Sequence, residues 1–364
     1  MKKVYKTITA LLLVCVLVIP GSLTANASTI AFATNYATLK TALDNQASTI
    51  IIMNDITFDS TLTIKYDVTI ASSGATIYAL GRHFYVRNSG EITVTFQDVI
   101  LEGKNGGGGI DAAVGNAVIE NAIIQNCSYT YGGAIYSTGG LTLINCIINN
   151  NYSNRGGGVH ATSSLTAYDC TFTNNKVIAD EYGGAIYSRG AEVYLNNCDF
   201  INNYAGDGGA IYSIGTNIGL SYCTFTNNNA SNGGGVYATA KLSTDHCTFT
   251  NNRAGTNCGG AIYSTSNTTI SNCTLTDNVA YKGGAIYFAN HGTQLTISWS
   301  TISNNSAGYG GGIFNNGTLT FDYTSITYNT AGYNGGGIFN TSSATYSSYY
   351  GAVIDNSPNN IVTN

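Results

Sequence analysis

The sequence predicts an all-β solenoid: a parallel β-helix of about twelve coils behind a short N-terminal capping helix. Three observations lead to it. A "GGAIY" unit or close variant begins at residues 132, 156, 183, 208, 233, 259, 283, 310 and 335, a period of 24–27 residues. Between these units lie alternating segments such as "CTFTNN" at 170–175, 223–228 and 247–252. No copy holds a helical pattern long enough to cross back over a sheet. Period-two alternation marks strands, and short strands at a fixed repeat without intervening helices make each repeat one coil.

The elements follow in chain order. Residues 1–27 read as a secretory signal, with Lys2, Lys3 and Lys6, an apolar run over 8–19 and the small-residue site Ala25-Asn26-Ala27. The run is shorter than the ~20 residues of a membrane span. Residues 28–364 then form one domain. In it, 36–45 ("YATLKTALDN") place Leu39, Ala42 and Leu43 on one helical face, a cap over the open strand edges of the first coil. Coils are expected over 50–345, degenerate at first ("STLTIKYDVTIAS", "ITVTFQDVILEG") and regular from 132 onward. Residues 346–364 lack the repeat and are expected to close the far end.

Stacking the copies in register turns letters into columns. Asn151, Asn175, Asn203, Asn228, Asn252, Asn278, Asn305 and Asn329 form an expected asparagine ladder, each amide bonding the next. Ile148, Phe172, Phe200, Phe225, Phe249, Leu275, Ile302 and Ile326 form an inward apolar column. Cys146, Cys170, Cys198, Cys223, Cys247 and Cys273 form a third. In-register strands hold such residues about 4.8 Å apart with parallel side chains, outside the ~3.5–4.5 Å between Cβ atoms that a disulfide needs. Free buried thiols are therefore expected, although eight of the nine cysteines, an even number, remain once Cys15 leaves with the leader.

Composition limits the functions. Apolar residues make up 43% of the chain and charged residues only 9%, so the surface is neutral and polar. Three of the fourteen basic residues lie in the leader, which has no acids, leaving eleven basic against nineteen acidic side chains, a net charge of −8. That balance disfavours nucleic acid, whose phosphates require a basic face. No second long apolar run occurs, so no membrane span is expected in the mature chain.

The coil pattern and the opening "LKTALDNQASTIIIMNDITFDSTLTI" resemble the right-handed parallel β-helix superfamily that includes pectate lyases. The pairing of "GGAIY" with "FTNN" resembles the repeats of polymorphic outer-membrane proteins and adhesin-like proteins. The resemblance spans about residues 36–350; these residues show neither a translocator barrel nor a wall-sorting tail. The superfamily hosts both enzymes and binding proteins, so the resemblance leaves open a polysaccharide lyase or glycoside hydrolase. The regular faces and the lack of a catalytic constellation lead to the expectation of a secreted or cell-surface β-helix protein of adhesin type, non-enzymatic, contacting glycans or a cell-surface protein.

Candidate sites come from the columns. Tyr136, Tyr187, Tyr212, Tyr237, Tyr263 and Tyr287, with His160, Phe314 and Phe339, follow the inward Ile or Val and so point outward. Such a stripe either stacks on sugar rings or a partner, or seals the sheet face. A lyase would need calcium-binding carboxylates beside an Arg or Lys, and a hydrolase two or three Asp on adjacent coils. The best acidic cluster is Asp180, Glu181 and Asp207, near Arg155, a candidate for calcium; no other cofactor is expected. Paired outward threonines (Thr171/Thr173, Thr224/Thr226, Thr248/Thr250, Thr274/Thr276) resemble ice-binding solenoids, though Asp199 and Ile201 interrupt them. His246 and Cys247 suggest a metal or nucleophile pair, but His246 stands in a column of Asn145, Asp169, Asn197, Tyr222, Asn272, Trp299 and Tyr323, which reads as a solvated turn.

Overall fold

A computed structural model describes residues 29–364 apart from 88–91, 114, 179–180, 191 and 216. The expected signal segment lies outside the described residues. Three long parallel sheets of 14, 13 and 13 strands run the length of the molecule, beside short sheets of two and five strands. Each coil contributes one strand to each long sheet in turn; Leu141–Ile144, Ile147–Asn149 and Val159–Ala161 are successive examples. Thirteen coils at the inter-strand spacing make a rod about 60 Å long.

The N-terminal end is covered as expected by one helix, Tyr36–Asp44, which buries Leu39, Ala42 and Leu43. Asn35 and Thr38 form a reciprocal capping box at its start. The strand Ile30–Ala33, which the sequence did not announce, precedes it and pairs in parallel with Thr49–Ile52.

The far end differs from expectation. Residues 345–363 do not fold over the core; they add a thirteenth coil. Thr345–Tyr349 pairs with Thr318–Asp322, Ala352–Ile354 with Ser325–Thr327, and Ile361–Thr363 with Ile338–Asn340. The letters of the repeat are gone, but the backbone register and one ladder residue survive.

That ladder joins its residues from coil to coil through hydrogen bonds of both backbone and side chain. Each Asn Oδ1 accepts from both the backbone N–H and the Nδ2 of the Asn one coil earlier, as Asn252 does from Asn228 at 3.1 and 3.0 Å. Each Nδ2 also donates to the carbonyl of a core residue in the preceding coil, Phe225 in the case of Asn252, at 2.8 Å. Cys127 occupies the first position and donates its N–H to Asn151. Asn356 in the thirteenth coil receives Asn329, and Asn360 Oδ1 in turn accepts from the Asn356 N–H and Nδ2.

The residue before each ladder Asn has a separate task. Asn150, Asn174, Asn202, Asn227, Asn251 and Asn304 all take φ between +53° and +58°, turning the chain into the next strand. Asn accepts this left-handed region more readily than most residues because its short amide bonds locally. The two letters of "NN" are therefore there for different reasons.

Inside, Phe172, Phe200, Phe225 and Phe249 stack at 4.9, 4.8 and 4.5 Å with planes within 6° of parallel. All eight described cysteines are free, and the six-residue column is buried. Its line continues as Ser300 and Thr324, also buried. An apolar core opposes thiolate formation, and burial pushes the Cys127 thiol up to about 12. We expect thiol titration of the native protein to detect, of the eight described cysteines, at most Cys258, the one among them that is partly exposed, and unfolding without reductant to release all eight. Three disulfides in that assay would contradict the column.

Arg82 is a second buried device. It is 1% exposed, and its guanidinium reaches across two coils: Nη1 donates to Gly132 O at 2.8 Å and Nη2 to Tyr131 O at 2.6 Å. The coil between carries Gly106–Gly109, and a Cβ on Gly109 would sit 2.7 Å from Nη1. The "GGGG" run thus opens a passage for the side chain. His83 beside it is a neutral structural histidine. Its Nδ1 accepts from Gly109 N–H, so Nε2 carries the proton toward Ile77 O, both at 2.8 Å. Burial lowers its pKa to about 4.

Candidate functional site

The outer face of the sheet built from the "AIY" strands gathers the aromatic and charged groups. Alternation in Ile211–Ile214, Val236–Ala238, Ile262–Ser264 and Ile286–Phe288 sends Ile or Val inward and Tyr outward, as predicted. Register then places Tyr212, Tyr237, Tyr263 and Tyr287 opposite one another. Their rings stack at 4.8, 4.5 and 5.1 Å, with planes 17°, 4° and 23° apart.

The stripe is less open than outward alternation suggested. Tyr187 is buried, as are His160, Phe314 and Phe339, while Tyr136 and the four rings from Tyr212 to Tyr287 are half-buried. A second column, five residues earlier in each coil, stands beside it: Tyr131, Arg155, Tyr182, Asp207, Asn232, Cys258, Lys282, Tyr309 and Asn334. Tyr182 packs on Tyr212 at 4.5 Å, Tyr131 on His160 at 5.3 Å and Tyr309 on Phe339 at 5.4 Å. Alternation reports which side of a strand a ring occupies; it does not report that the bend beside it rises over the ring. The half-buried middle of the stripe, bordered along one edge by the bend column, is the aromatic channel of this face.

The electrostatics of the channel are neutral along that stripe and paired at one end. Burial pushes the Tyr212 and Tyr287 phenols up to about 12 and raises those of Tyr237 and Tyr263. The hydroxyls therefore remain neutral donors and acceptors at physiological pH. Burial, then the charge of Arg155, lowers the His160 pKa to about 4, so this ring is also uncharged. Its Nδ1 is buried without a hydrogen-bond partner. Toward the N-terminal end, Asp111 replaces the ring of the column and holds Arg87 in a two-pronged pair at 2.8 and 2.9 Å.

The predicted acidic cluster lies in the bend column. Glu181 Oε2 accepts from Arg155 Nε at 2.8 Å, and Asp207 Oδ1 accepts from Asn232 Nδ2 at 2.8 Å. Asp180 lies outside the described residues. Among the described residues, no group of three His, Cys, Asp or Glu is placed to hold a metal ion. His246 is exposed at a turn, with Nδ1 3.0 Å from Asp245 Oδ2, and the buried Cys247 beside it points to the core. The pair suggested by "DHC" is split between the two sides of the wall.

The threonine face lies on the sheet of the "CTFT" strands, with Thr224, Thr226, Thr248 and Thr250 in register. Asp199 interrupts it chemically as well as by position, because Thr224 Oγ1 donates to Asp199 Oδ1 at 2.5 Å. Among the described residues, no helix is long and apolar enough to cross a membrane.

Comparison with known proteins bears on the fold. No curated protein matches the chain. A solved structure, ORF18 of Geobacillus virus E2, is similar with a TM-score of 0.42 and 12% identity, covering 86% of this chain and 58% of that one. The present chain thus spans less than two thirds of that protein's length. The family model described as right handed beta helix region matches residues 56–221 and 206–353, nearly the whole solenoid. With thirteen parallel coils and a family match over most of its length, the chain belongs to the right-handed beta-helix family.

Proposed function

We propose that this is a secreted or cell-surface protein of adhesin type that binds without catalysis, contacting glycans or a partner protein through the aromatic channel. The observation that carries the reading is the run Tyr212–Tyr237–Tyr263–Tyr287: four half-buried, stacked rings with neutral hydroxyls. Half-buried rings already held in place lose little entropy on binding and offer a hydroxyl rim for hydrogen bonds. The nearby described carboxylates, Glu181 and Asp207, are engaged by Arg155 and Asn232, which favours a binding surface over acid–base chemistry.

The test is a broad glycan-array screen, followed by the double substitution Tyr237→Ala/Tyr263→Ala. Aromatic contacts contribute about 0.5–1.5 kcal/mol each, so removing two should weaken binding about tenfold or more. A blank array, combined with cleavage of a polysaccharide into unsaturated or reducing-end products, would replace this reading with a lyase or hydrolase.

A further inference from the structure

The corner between the first and second strands of each coil holds a column whose residues all take a left-handed conformation. Asn145, Asp169 and Asn197 suit that position, with φ of +51°, +55° and +52°. Beyond them the column changes to Tyr222, His246, Asn272, Trp299, Tyr323 and Tyr350, with φ still between +44° and +56°. Bulky side chains are disfavoured there. Burial does not offset the strain: Tyr222, Trp299, Tyr323 and Tyr350 are 55%, 60%, 45% and 83% exposed. Exposed bulky residues held in a strained conformation are the pattern expected where a surface is used.

The rings form two stacks with a gap. Tyr222 and His246 stack at 4.8 Å and 21°. Trp299 and Tyr323 stack at 4.1 Å and 6°, and Tyr350 continues at 5.0 Å. Between the stacks lies the coil of Asn272, whose short side chain turns back and donates Nδ2 to Asp245 Oδ1 at 2.8 Å. Tyr323 covers one face of Trp299, so its large exposure includes the other face, the one toward Asn272. Tyr222 likewise covers one face of His246, whose side chain is 46% exposed, and Asp245 joins its Nδ1 to the Asn272 amide on the side of the gap.

We infer that His246 and Trp299 are the walls of a slot that takes the ring of a neutral sugar, with Asn272 as its floor. Two coil steps separate the walls by about 9.6 Å. Carbon contacts of about 3.5–4.0 Å on each wall leave roughly 2 Å for the depth of the guest. A flat aromatic ring has no such depth; a puckered ring with axial substituents does. Its C–H faces meet the Trp299 and His246 rings, and its hydroxyls meet the Asn272 amide, the Asp245 carboxylate and the imidazole Nε2. The carboxylate at the rim disfavours uronic acids. The slot lies at a different corner of the coil from the tyrosine channel and does not rest on that reading.

Trp299 is the only tryptophan in the chain, so its emission reports this slot alone. The experiment titrates the protein with cellohexaose, xylohexaose, mannohexaose and a hexamer of galacturonic acid. At least one neutral hexamer is expected to give a saturable change in Trp299 emission and to protect it from acrylamide quenching, with the acidic hexamer weaker. N272Y places a ring in the gap, at a position where Tyr222 and Tyr323 already show that Tyr is accommodated. It should weaken the response at least tenfold while leaving the far-UV spectrum unchanged. W299N, which restores the residue type of the earlier coils, should abolish binding in calorimetry and keep the fold. Tyr237→Ala/Tyr263→Ala should leave the Trp299 response intact, which separates this site from the channel. No saturable response to any neutral hexamer, or a response that N272Y leaves unaltered, would overturn the assignment.

Discussion

Replacing Asn252 with Leu is expected to destabilise the solenoid by about 3–6 kcal/mol, although the side chains are of similar size. The Asn252 amide lies in the middle of the ladder and is fully buried. Its Oδ1 accepts twice from Asn228, and its Nδ2 donates to Phe225 O and to Asn278 Oδ1. Leu leaves the Asn228 N–H, one Asn228 amide hydrogen and the Phe225 carbonyl without these partners. Each orphaned buried group costs about 1–3 kcal/mol. Asn252→Asp should be no better, because a carboxylate accepts but cannot donate to Asn278. The contrasting substitution is Asn251→Gly, one residue earlier: Asn251 is exposed at φ +55°, a conformation glycine adopts freely, and stability should change by less than about 1 kcal/mol. Urea unfolding followed by far-UV circular dichroism distinguishes the two. Because neighbouring coils interact mainly with each other, the Leu variant should also broaden the transition. Equal midpoints for N252L and N251G would contradict the ladder's place in the energetics.

Adjacent identical letters with unlike tasks also explain what the sequence revealed and what it withheld. Columns were readable wherever a residue type repeats because the coil repeats: the ladder, the phenylalanine stack and the thiols. Roles that depend on backbone conformation were harder to read. The left-handed turn admits Asn145, Tyr222, His246 and Trp299 alike, so the letters vary while φ stays between +51° and +56°. Variation there suggested an idle solvated turn; conformation shows a strained position populated by exposed rings. Roles that depend on a third element were not readable at all. The partial cover over the tyrosine stripe comes from bends five residues away, and the Arg82 clamp comes from two coils away across a glycine passage. The thirteenth coil lost its repeat letters but kept Asn356 in the ladder column and Tyr350 in the corner column.

The run Gly233-Gly234-Gly235 carries the same lesson into its most severe test, since three identical residues should respond differently to alanine. Gly233 has φ +60°, and a Cβ would lie 2.5 Å from Val236 O, so alanine there is both strained and crowded. Gly234 has an ordinary φ, but its Cβ would sit 2.4 Å from Gly260 O and 2.6 Å from Arg253 O. Those atoms belong to the backbone of the next coil, which cannot move without parting the ladder and the sheets on either side. We therefore expect Gly234→Ala to cost about 4 kcal/mol or more, at the far end of single-substitution effects. Gly235 supplies the control. Its Cβ would approach Ala261 O at 2.8 Å, yet the same column holds Ala134, Ala185, Ala210, Ala261 and Ala285 in other coils. The stacking distance evidently accommodates a methyl group at this position, and Gly235→Ala should fall within about 1 kcal/mol of the parent, with any gain coming from the less flexible unfolded chain. Thermal midpoints of the three single variants, ordered Gly235→Ala well above the other two, are the expected result. A Gly234→Ala protein as stable as Gly235→Ala would mean that the coils do not approach one another through this glycine, and the stacking that defines the rod would need a different explanation.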